Sequence, residues 1–330
     1  MILPIKSFAD AINETFRQMM ADDPDVFLIG QGVTSPWYVG STTRGLLEEF
    51  GSERVIDTPV SENAVTGAGV GAALAGMKPI VVHPRLDFMY YGFDPIANHA
   101  APWYYMMGCQ LSVPIVIWGI INRGGEQAAQ HSQALHAIFL HIPGLKVIMP
   151  STPFDVKGLL VSAIRDPNPV IFIDDRWLYS LTGEVPDELY EIPIGKGQIV
   201  KSGDDVTIVA TSYMIHEALK AAETVKKEGI DVEVIDPRSL KPFDDELLFK
   251  SVKKTRRLII ADGGWKTCGI AAEITARVAE TGIILKLKSP IIRITLPDMP
   301  APASSSLELK YYQREPELIS AIRKIMGKSK

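Results

Sequence analysis

The sequence predicts an α/β protein of two domains, each a mostly parallel sheet with helices on both faces. Near-continuous apolar runs alternate with helical patterns along most of the chain, as expected for strands that are covered on both sides. The length of 330 residues exceeds what one ordinary hydrophobic core organises. A polar, turn-rich stretch at residues 182–188 interrupts the alternation, and a second series follows it.

The first series contains candidate strands that are rich in apolar residues. They are predicted at residues 26–29, 79–82, 114–117, 146–149 and 170–173. Two helices are expected beside them. Residues 7–20 carry apolar side chains at helical spacing, and residues 153–164 begin at Ser151-Thr152-Pro153, where a hydroxyl caps the first turn and proline opens it.

The second series is expected to repeat this arrangement after residues 181–205, which are expected to form a linker and the first edge of the second domain. Its strands are predicted at 206–210, 232–235 and 258–261, and its helices at 215–227, 270–279 and about 316–326. We therefore expect a first domain over residues 1–180 and a second over residues 206–330.

The composition argues against several functional classes. The net charge of −5 gives no basic patch of the kind that nucleic acids require. No apolar run reaches the roughly 18 residues of a membrane-spanning helix, and residues 1–6 lack the layout of a signal peptide. Cys109 and Cys268 stand far apart and without metal-site spacing. We expect a cytoplasmic protein with no nucleic-acid or membrane partner.

The stretch from Asp57 to Gly67 is the most informative part of the chain. It places one carboxylate, Glu62, at the start of a helix rich in glycine and alanine. Small residues let such a helix pack closely against its neighbours. Glu62 is therefore either a helix-start residue that faces water or a buried acid with a chemical role.

The glycine-rich segments supply no phosphate-binding loop. Gly67-Ala68-Gly69-Val70-Gly71 and residues 119–125 match neither P-loop nor dinucleotide spacing. The first of them favours close helix packing. Asp262-Gly263-Gly264 favours a simple turn after a strand.

Two further positions are candidates for a site. His131 lies in an unusually polar stretch and is either a hydrogen-bonded residue at a helix start or a catalytic imidazole. Phe88 follows a strand, where an aromatic ring either belongs to the core or stacks on a heteroaromatic ligand. Residues 98–108 are rich in aromatic residues and methionine, which favours a partner interface.

Seven segments carry a resemblance to a known family: Asp57-Thr58-Pro59-Val60-Ser61-Glu62, Gly76-Met77-Lys78-Pro79, Ala129-Gln130-His131-Ser132-Gln133, Pro143-Gly144-Leu145-Lys146-Val147, Lys157-Gly158-Leu159-Leu160, Ser162-Ala163-Ile164-Arg165-Asp166 and Asp262-Gly263-Gly264-Trp265. Together they resemble the β subunit of thiamine-diphosphate-dependent 2-oxo acid dehydrogenases, the decarboxylating first component of the pyruvate, branched-chain and acetoin complexes. The resemblance runs nearly end to end and implies a transketolase-type pyrimidine-binding domain followed by a transketolase C-terminal domain.

The resemblance implies roles for individual residues. Glu62 would hydrogen-bond a ring nitrogen of the cofactor's aminopyrimidine and favour the imino form, which is the base for the thiazolium proton. Phe88 would stack on the pyrimidine, and His131 would lie near the substrate. The family often binds a structural potassium ion through backbone carbonyls and an Asp. The matching positions are Ile115, Ala163, Ile164, Asp166 and Asn168.

The resemblance also implies partners. In the family the diphosphate and magnesium site, a Gly-Asp-Gly motif followed by Asn-Asn, lies on a separate α subunit, and this chain lacks it. Thiamine diphosphate would therefore be shared with an α subunit that carries the magnesium ion. Two such pairs would form an α2β2 heterotetramer with a second β chain, and a lipoyl acyltransferase would accept the acyl group.

The chain departs from the family's pattern at two places. Gly30-Gln31-Gly32 stands where the family has Gly-Glu and a further acid, which puts the substrate in doubt. His83 and Arg85 lie in a segment where pyruvate enzymes carry a Glu-Phe run. These two residues either bind a phosphate or carboxylate of the substrate or belong to a surface turn.

Three functions remain open from the sequence. The first is the β subunit of an oxidative decarboxylase that acts on a pyruvate-like 2-oxo acid and passes the acyl group to lipoamide; the match over residues 130–166 favours it. The second is half of a split transketolase-like enzyme that transfers a two-carbon unit, which Gln31-Gly32 favours slightly. The third is a non-catalytic scaffold subunit, which the joint presence of Glu62, Phe88 and His131 argues against.

Overall fold

The computed structural model describes residues 3–328, which fall into two compact units. The first unit comprises the residues up to Arg123 together with Gln130–Ile194. The second unit comprises Gly124–Ala129 together with the residues from Gly195 onward. No helix within residues 3–328 is long and apolar enough to span a membrane.

The first unit alternates strands with helices. Its strands are β1 (Ile5–Ser7), β2 (Val26–Gly30), β3 (Val55–Asp57), β4 (Lys78–His83), β5 (Val116–Ile121), β6 (Lys146–Ile148), β7 (Val170–Asp175) and β8 (Thr182–Glu184). Its α-helices are α1 (Phe8–Asp22), α2 (Leu46–Phe50), α3 (Glu62–Leu74), α4 (Ala101–Met106), α5 (His136–His141) and α6 (Pro153–Arg165). Shorter helical turns cover Leu86–Gly92, Pro95–Ala100 and Arg176–Leu178.

Strands of the first unit form a parallel sheet in the order β6-β7-β5-β4-β2-β3. The register aligns Gly30 with Val82 and Val82 with Trp118, so the carboxyl ends of β2, β4 and β5 lie side by side. The end of β7 joins the same edge because Ile121 pairs with Asp175. Ligands of open parallel sheets bind at this edge.

Helix α1 illustrates the local folding of this unit. Ser7 caps it by accepting a hydrogen bond from the backbone N–H of Asp10 at 3.0 Å. Ile12 and Phe16 are buried at helical spacing, and the ring of Phe16 lies 5.3 Å from the ring of Trp118 in β5. Full burial of a side chain of this kind contributes about 2 kcal/mol.

The second unit has a smaller sheet in the order β14-β13-β10-β11-β9, which is parallel except for β9. The strands of this unit are β9 (Gln198–Lys201), β10 (Val206–Ala210), β11 (Val232–Asp236), β12 (Ser239–Lys241), β13 (Leu258–Trp265) and β14 (Ile292–Leu296). Its helices are α7 (Met214–Lys226), α8 (Asp245–Thr255), α9 (Ile270–Glu280), α10 (Ser305–Tyr311) and α11 (Glu315–Ile325).

The predicted α/β class is confirmed, and each strand and helix named from the sequence has a counterpart. The prediction of a turn at Asp262-Gly263-Gly264 was wrong, because these residues lie within β13. There the carboxylate of Asp262 accepts a hydrogen bond from the hydroxyl of Thr211 at 2.6 Å, which suits a polar residue to a buried strand. Residues 181–205, expected to be a linker and the first edge of the second domain, contain two strands: β8, which pairs with β1, and β9, which lies at the edge of the second sheet.

Candidate active site

A cleft with about 360 Å³ of empty space opens at the carboxyl-terminal edge of the parallel sheet in the first unit. Its walls come from residues that follow β2, β3 and β4 and from the start of α3. Four residues singled out in the sequence line it together, namely Glu62, His83, Arg85 and Phe88. Sequence-distant candidates therefore share one site.

Glu62 is the first residue of α3, and Ser61 precedes it as the N-cap in a non-helical conformation. The helix start orients the Glu62 side chain toward the cleft, where it is partly exposed. Its carboxylate has no hydrogen-bond or ion-pair partner among residues 3–328. This carboxylate is thus available to a ligand in the cleft.

Other polar atoms at the cleft also lack partners within the described chain. The hydroxyl of Thr58 and the Nε of Arg85 are buried without a hydrogen bond. Such atoms are costly to bury unless something pairs with them. Together with the Glu62 carboxylate and the ring of Phe88, the hydroxyl of Thr58 fits a flat heteroaromatic ligand that carries hydrogen-bonding groups.

His131 does not line the cleft but reaches it through Phe88. The two rings lie 5.3 Å apart and are nearly perpendicular, at 88°. Gln133 lies two residues after His131, and its backbone N–H donates a hydrogen bond to the buried carboxylate of Asp87 at 3.1 Å. Burial raises the pKa of Asp87, and the hydrogen bonds from Gln133 oppose that rise. This contact ties the loop of His131 to the segment that carries Phe88.

His83 and Arg85 both line the cleft, but only Arg85 is charged near pH 7. His83 is buried, its Nε2 lies 3.1 Å from the hydroxyl of Thr66, and burial lowers the pKa of His83 to about 4. The imidazole is therefore neutral near pH 7. Arg85 donates to the carbonyl of Pro84 at 2.9 Å. Burial and, next, the charge of Arg176 lower the pKa of Arg85. Arg85 is thus the cation of this pair.

Sequence reasoning missed two residues beside the cleft, Tyr38 and Arg176. The guanidinium of Arg176 donates a hydrogen bond to the carbonyl of Tyr38, and the amide of Gln31 donates to the hydroxyl of Tyr38 at 3.0 Å. Arg176 follows the carboxyl end of β7, which was the only signal available for it in the sequence. Tyr38 lies in a long irregular segment that gave none.

The residues expected to bind potassium lie away from the cleft lining. They are Ile115 before β5, Ala163 and Ile164 in the last turn of α6, and Asp166 and Asn168 after that helix. The carboxylate of Asp166 forms an ion pair with Lys146 and accepts a hydrogen bond from the N–H of Asn168 at 2.9 Å. The side-chain oxygen of Asn168 is buried without a partner among the described residues.

Comparison with known proteins gives the family. Residues 6–181 match the family described as "Transketolase, pyrimidine binding domain", and residues 195–319 match "Transketolase, C-terminal domain". The first match covers more than half of the chain. The chain belongs to the β subunits of thiamine-diphosphate-dependent 2-oxo acid dehydrogenases.

Three relatives support this membership along nearly the whole length. The chain is 42% identical to the "Acetoin:2,6-dichlorophenolindophenol oxidoreductase subunit beta" of Bacillus subtilis over 97% of either chain. It is 41% identical to the "Pyruvate dehydrogenase E1 component subunit beta" of Rickettsia conorii, with 96% and 97% covered. It is 39% identical to the "2-oxoisovalerate dehydrogenase subunit beta" of Bacillus subtilis, with 97% and 98% covered.

A solved structure shows the same fold. The chain of a "Split gene transketolase, inactive beta4 tetramer" superposes on this β-subunit family member with a TM-score of 0.78 and 21% identity, over 98% of this chain and 99% of that one. At this identity the likeness concerns the fold alone. It agrees with the two transketolase domains of the family match.

Proposed function

We propose that this chain is the β subunit of an enzyme that decarboxylates a pyruvate-like 2-oxo acid with thiamine diphosphate and, with an α subunit, passes the acyl group to lipoamide. Relatives at about 40% identity support it, because two of them are named as β subunits of a pyruvate dehydrogenase E1 component and of a 2-oxoisovalerate dehydrogenase. The observation that carries the proposal is the Glu62 carboxylate, which is free of partners among residues 3–328 and lines a cleft beside Phe88.

Thiamine diphosphate supplies, when bound, a nucleophilic carbon and an electron sink. Glu62 holds a proton at a ring nitrogen of the aminopyrimidine, which a carboxylate at the open start of a helix can reach. Phe88, which lines the same cleft, would pack its ring on the pyrimidine. His131, held against Phe88, holds or transfers a proton at the substrate.

The partners follow from what this chain presents. We propose that an α subunit holds the diphosphate and the magnesium ion, that two pairs assemble as α2β2, and that a lipoyl acyltransferase follows. The exposed aromatic and methionine side chains of residues 90–111 support an interface: Tyr91 and Tyr105 are 72% and 85% exposed. The outer face of α3 is also open, since a Cβ on Gly67 or Gly71 would meet nothing within 4 Å.

We also propose that this chain binds a potassium ion. Among residues 3–328 no three His, Cys, Asp or Glu side chains are grouped to hold a metal ion, so a cation would rest on carbonyl oxygens. The buried side-chain oxygen of Asn168 suits this role. The Asp166 carboxylate suits it less because Lys146 already pairs with it.

A second candidate function, half of a split transketolase-like enzyme, has one observation in its favour. Gln31, in place of the family's acid, makes a neutral hydrogen bond to Tyr38 beside the cleft. Turnover with a lipoyl acceptor separates the two functions, since only the oxidative decarboxylase passes its acyl group to lipoamide. An aldehyde acceptor that alone supports turnover would favour the transketolase-like function.

The test is to co-express this chain with its candidate α chain and titrate thiamine diphosphate and magnesium by calorimetry. The wild type, Glu62→Gln and Glu48→Gln are compared, because Glu48 is an exposed glutamate of α2 outside the cleft. We expect tight binding by the pair only. Glu62→Gln should lower 2-oxo acid decarboxylation at least about 100-fold, since general acid–base groups contribute about 10² to 10⁴.

Two results would contradict the proposal. One is tight cofactor binding by this chain without the α chain, and the other is wild-type turnover in Glu62→Gln. Glu48→Gln should behave as the wild type in both measurements. Loss of turnover in Glu48→Gln as well would mean that the effect of Glu62→Gln is not specific to the cleft.

A further inference from the structure

We propose that Arg85 and Arg176 form an anion subsite at the cleft that binds a phosphate group carried by the substrate. The inference rests on the proposed function, because the same cleft holds Glu62. It narrows the substrate class to 2-oxo compounds that bear a phosphate monoester. Arg85 was one of two anion-binding candidates from the sequence, and Arg176 is added by the structure.

The two arginines lie at the same edge of the parallel sheet, one strand apart. Arg85 follows the carboxyl end of β4, and Arg176 follows the carboxyl end of β7; only β5 lies between these strands. Each guanidinium makes one hydrogen bond, to the carbonyl of Pro84 or of Tyr38. The Nε of each is buried and lacks a partner among the described residues. Donors held in this way are ready for an anion.

The carboxylates near this pair act on it without forming an ion pair: the charge of Asp87 partly offsets the burial that lowers the pKa of Arg85, and the charge of Arg176 opposes the burial that raises the pKa of Asp174. Neither guanidinium is within ion-pair distance of a carboxylate in residues 3–328. Asp175 pairs with Arg123, with 2.7 Å between Oδ2 and Nε. Burial raises the pKa of Asp174 to about 7, and burial also raises the pKa of Asp87. The two guanidinium groups are therefore not paired with a carboxylate of residues 3–328.

The charge of the subsite selects the ligand class. Two half-buried guanidinium groups repel each other, and the charge of Arg176 already lowers the pKa of Arg85. A phosphate monoester carries a charge of about −1.5 to −2 near pH 7 and accepts hydrogen bonds from both groups. A carboxylate would balance only one of the two charges. The buried His83 adds none, because it is neutral.

The test uses the full chain and inorganic phosphate as the probe. Phosphate and acetate are titrated by calorimetry at constant ionic strength into the wild type, Arg85→Gln, Arg176→Gln and, as a control, Arg44→Gln, whose side chain is 63% exposed. We expect phosphate to bind the wild type and Arg44→Gln. Each of Arg85→Gln and Arg176→Gln should weaken binding about tenfold or more, as loss of a charged hydrogen bond does.

Further outcomes keep the proposal open to refutation. Arg85→Lys and Arg176→Lys, which retain charge without the planar fork, should bind phosphate with intermediate affinity. Absence of phosphate binding to the wild type, equal binding of acetate, or unchanged binding in both glutamine variants would each overturn the proposal. Melting curves that match the wild type exclude misfolding as the cause of a loss.

Failure here is distinguishable from failure of the proposed function. With the α chain present, Arg85→Gln should bind thiamine diphosphate as the wild type does, whereas Glu62→Gln should lose decarboxylation. Lost cofactor affinity in Arg85→Gln would assign the arginines to the cofactor and overturn the substrate subsite. A negative phosphate titration with an intact Glu62 effect would leave the proposed function standing.

Discussion

The imidazole of His83 ends β4 with 2% of its surface exposed and hydrogen-bonds with Thr66. Burial lowers its pKa from 6.5 to about 4. In the unfolded chain the imidazole takes up a proton as the pH falls through about 6.5, whereas the folded chain does so only near 4. The unfolded state thus binds more protons between these values, and folding loses stability there as the pH falls.

We predict that the free energy of unfolding decreases by up to about 3 kcal/mol between pH 7 and pH 4 through His83. Urea unfolding at several pH values measures it. His83→Gln should remove this part of the pH dependence, and His141→Gln, at an exposed position, should retain it. Parallel pH profiles for the wild type and His83→Gln would show that His83 is not held neutral.

At the scale of elements, α3 has two faces with opposite tolerance for side chains. A Cβ on Gly69 would lie 2.4 Å from Cγ2 of Val81, inside contact distance with the central strand β4. A Cβ on Gly67 would meet nothing within 4 Å. The close packing expected from the sequence is thus present on one face only.

We therefore predict opposite effects of two alanine substitutions in α3 on the isolated chain. Gly67→Ala should be neutral or stabilising by up to about 1 kcal/mol, because alanine is the better helix former. Gly69→Ala should destabilise by about 1 to 3 kcal/mol, because overpacking forces Val81 to shift. Urea unfolding measures both, and equal effects would contradict this packing of α3 on β4.

At the scale of the whole molecule, the first unit exposes more aromatic surface than a chain that works alone would need. Tyr105, in the last turn of α4, is 85% exposed, and Tyr91 is 72% exposed. Large exposed apolar patches of this kind mark interaction sites. Family membership indicates a multi-subunit assembly, so this patch is our candidate for a subunit interface.

The prediction at this scale concerns assembly. Tyr105→Glu should shift the co-expressed chains toward smaller species in sedimentation velocity, because a charge would be buried at the interface. Tyr105→Phe keeps the apolar ring and should assemble as the wild type does. Wild-type assembly by Tyr105→Glu would place the interface elsewhere, while its unfolding curve should be unchanged in either case.

The predictability of the fold differed between long and short elements. Strands such as β4 and β7 are apolar runs, and α1 and α6 have caps and periodicity, so they were recognisable. Strands β1 and β8 have three residues each, too few for a pattern, and exist because they pair with each other. Asp262-Gly263-Gly264 has turn composition but lies within β13, where the register with β14 shifts between Ala261 and Trp265.

The sequence by itself determined the fold class, the family and the candidate residues Glu62, Phe88 and His131, because local patterns and ordered motifs are written along the chain. Only the tertiary structure decided that burial holds the pKa of His83 near 4 and that Arg85 and Arg176 follow strands at one edge of the same sheet. The charge of a buried imidazole depends on its surroundings in the folded chain. The placement of the two arginines at one edge depends on the order of the strands in the sheet. Neither property is encoded in spacing along the sequence.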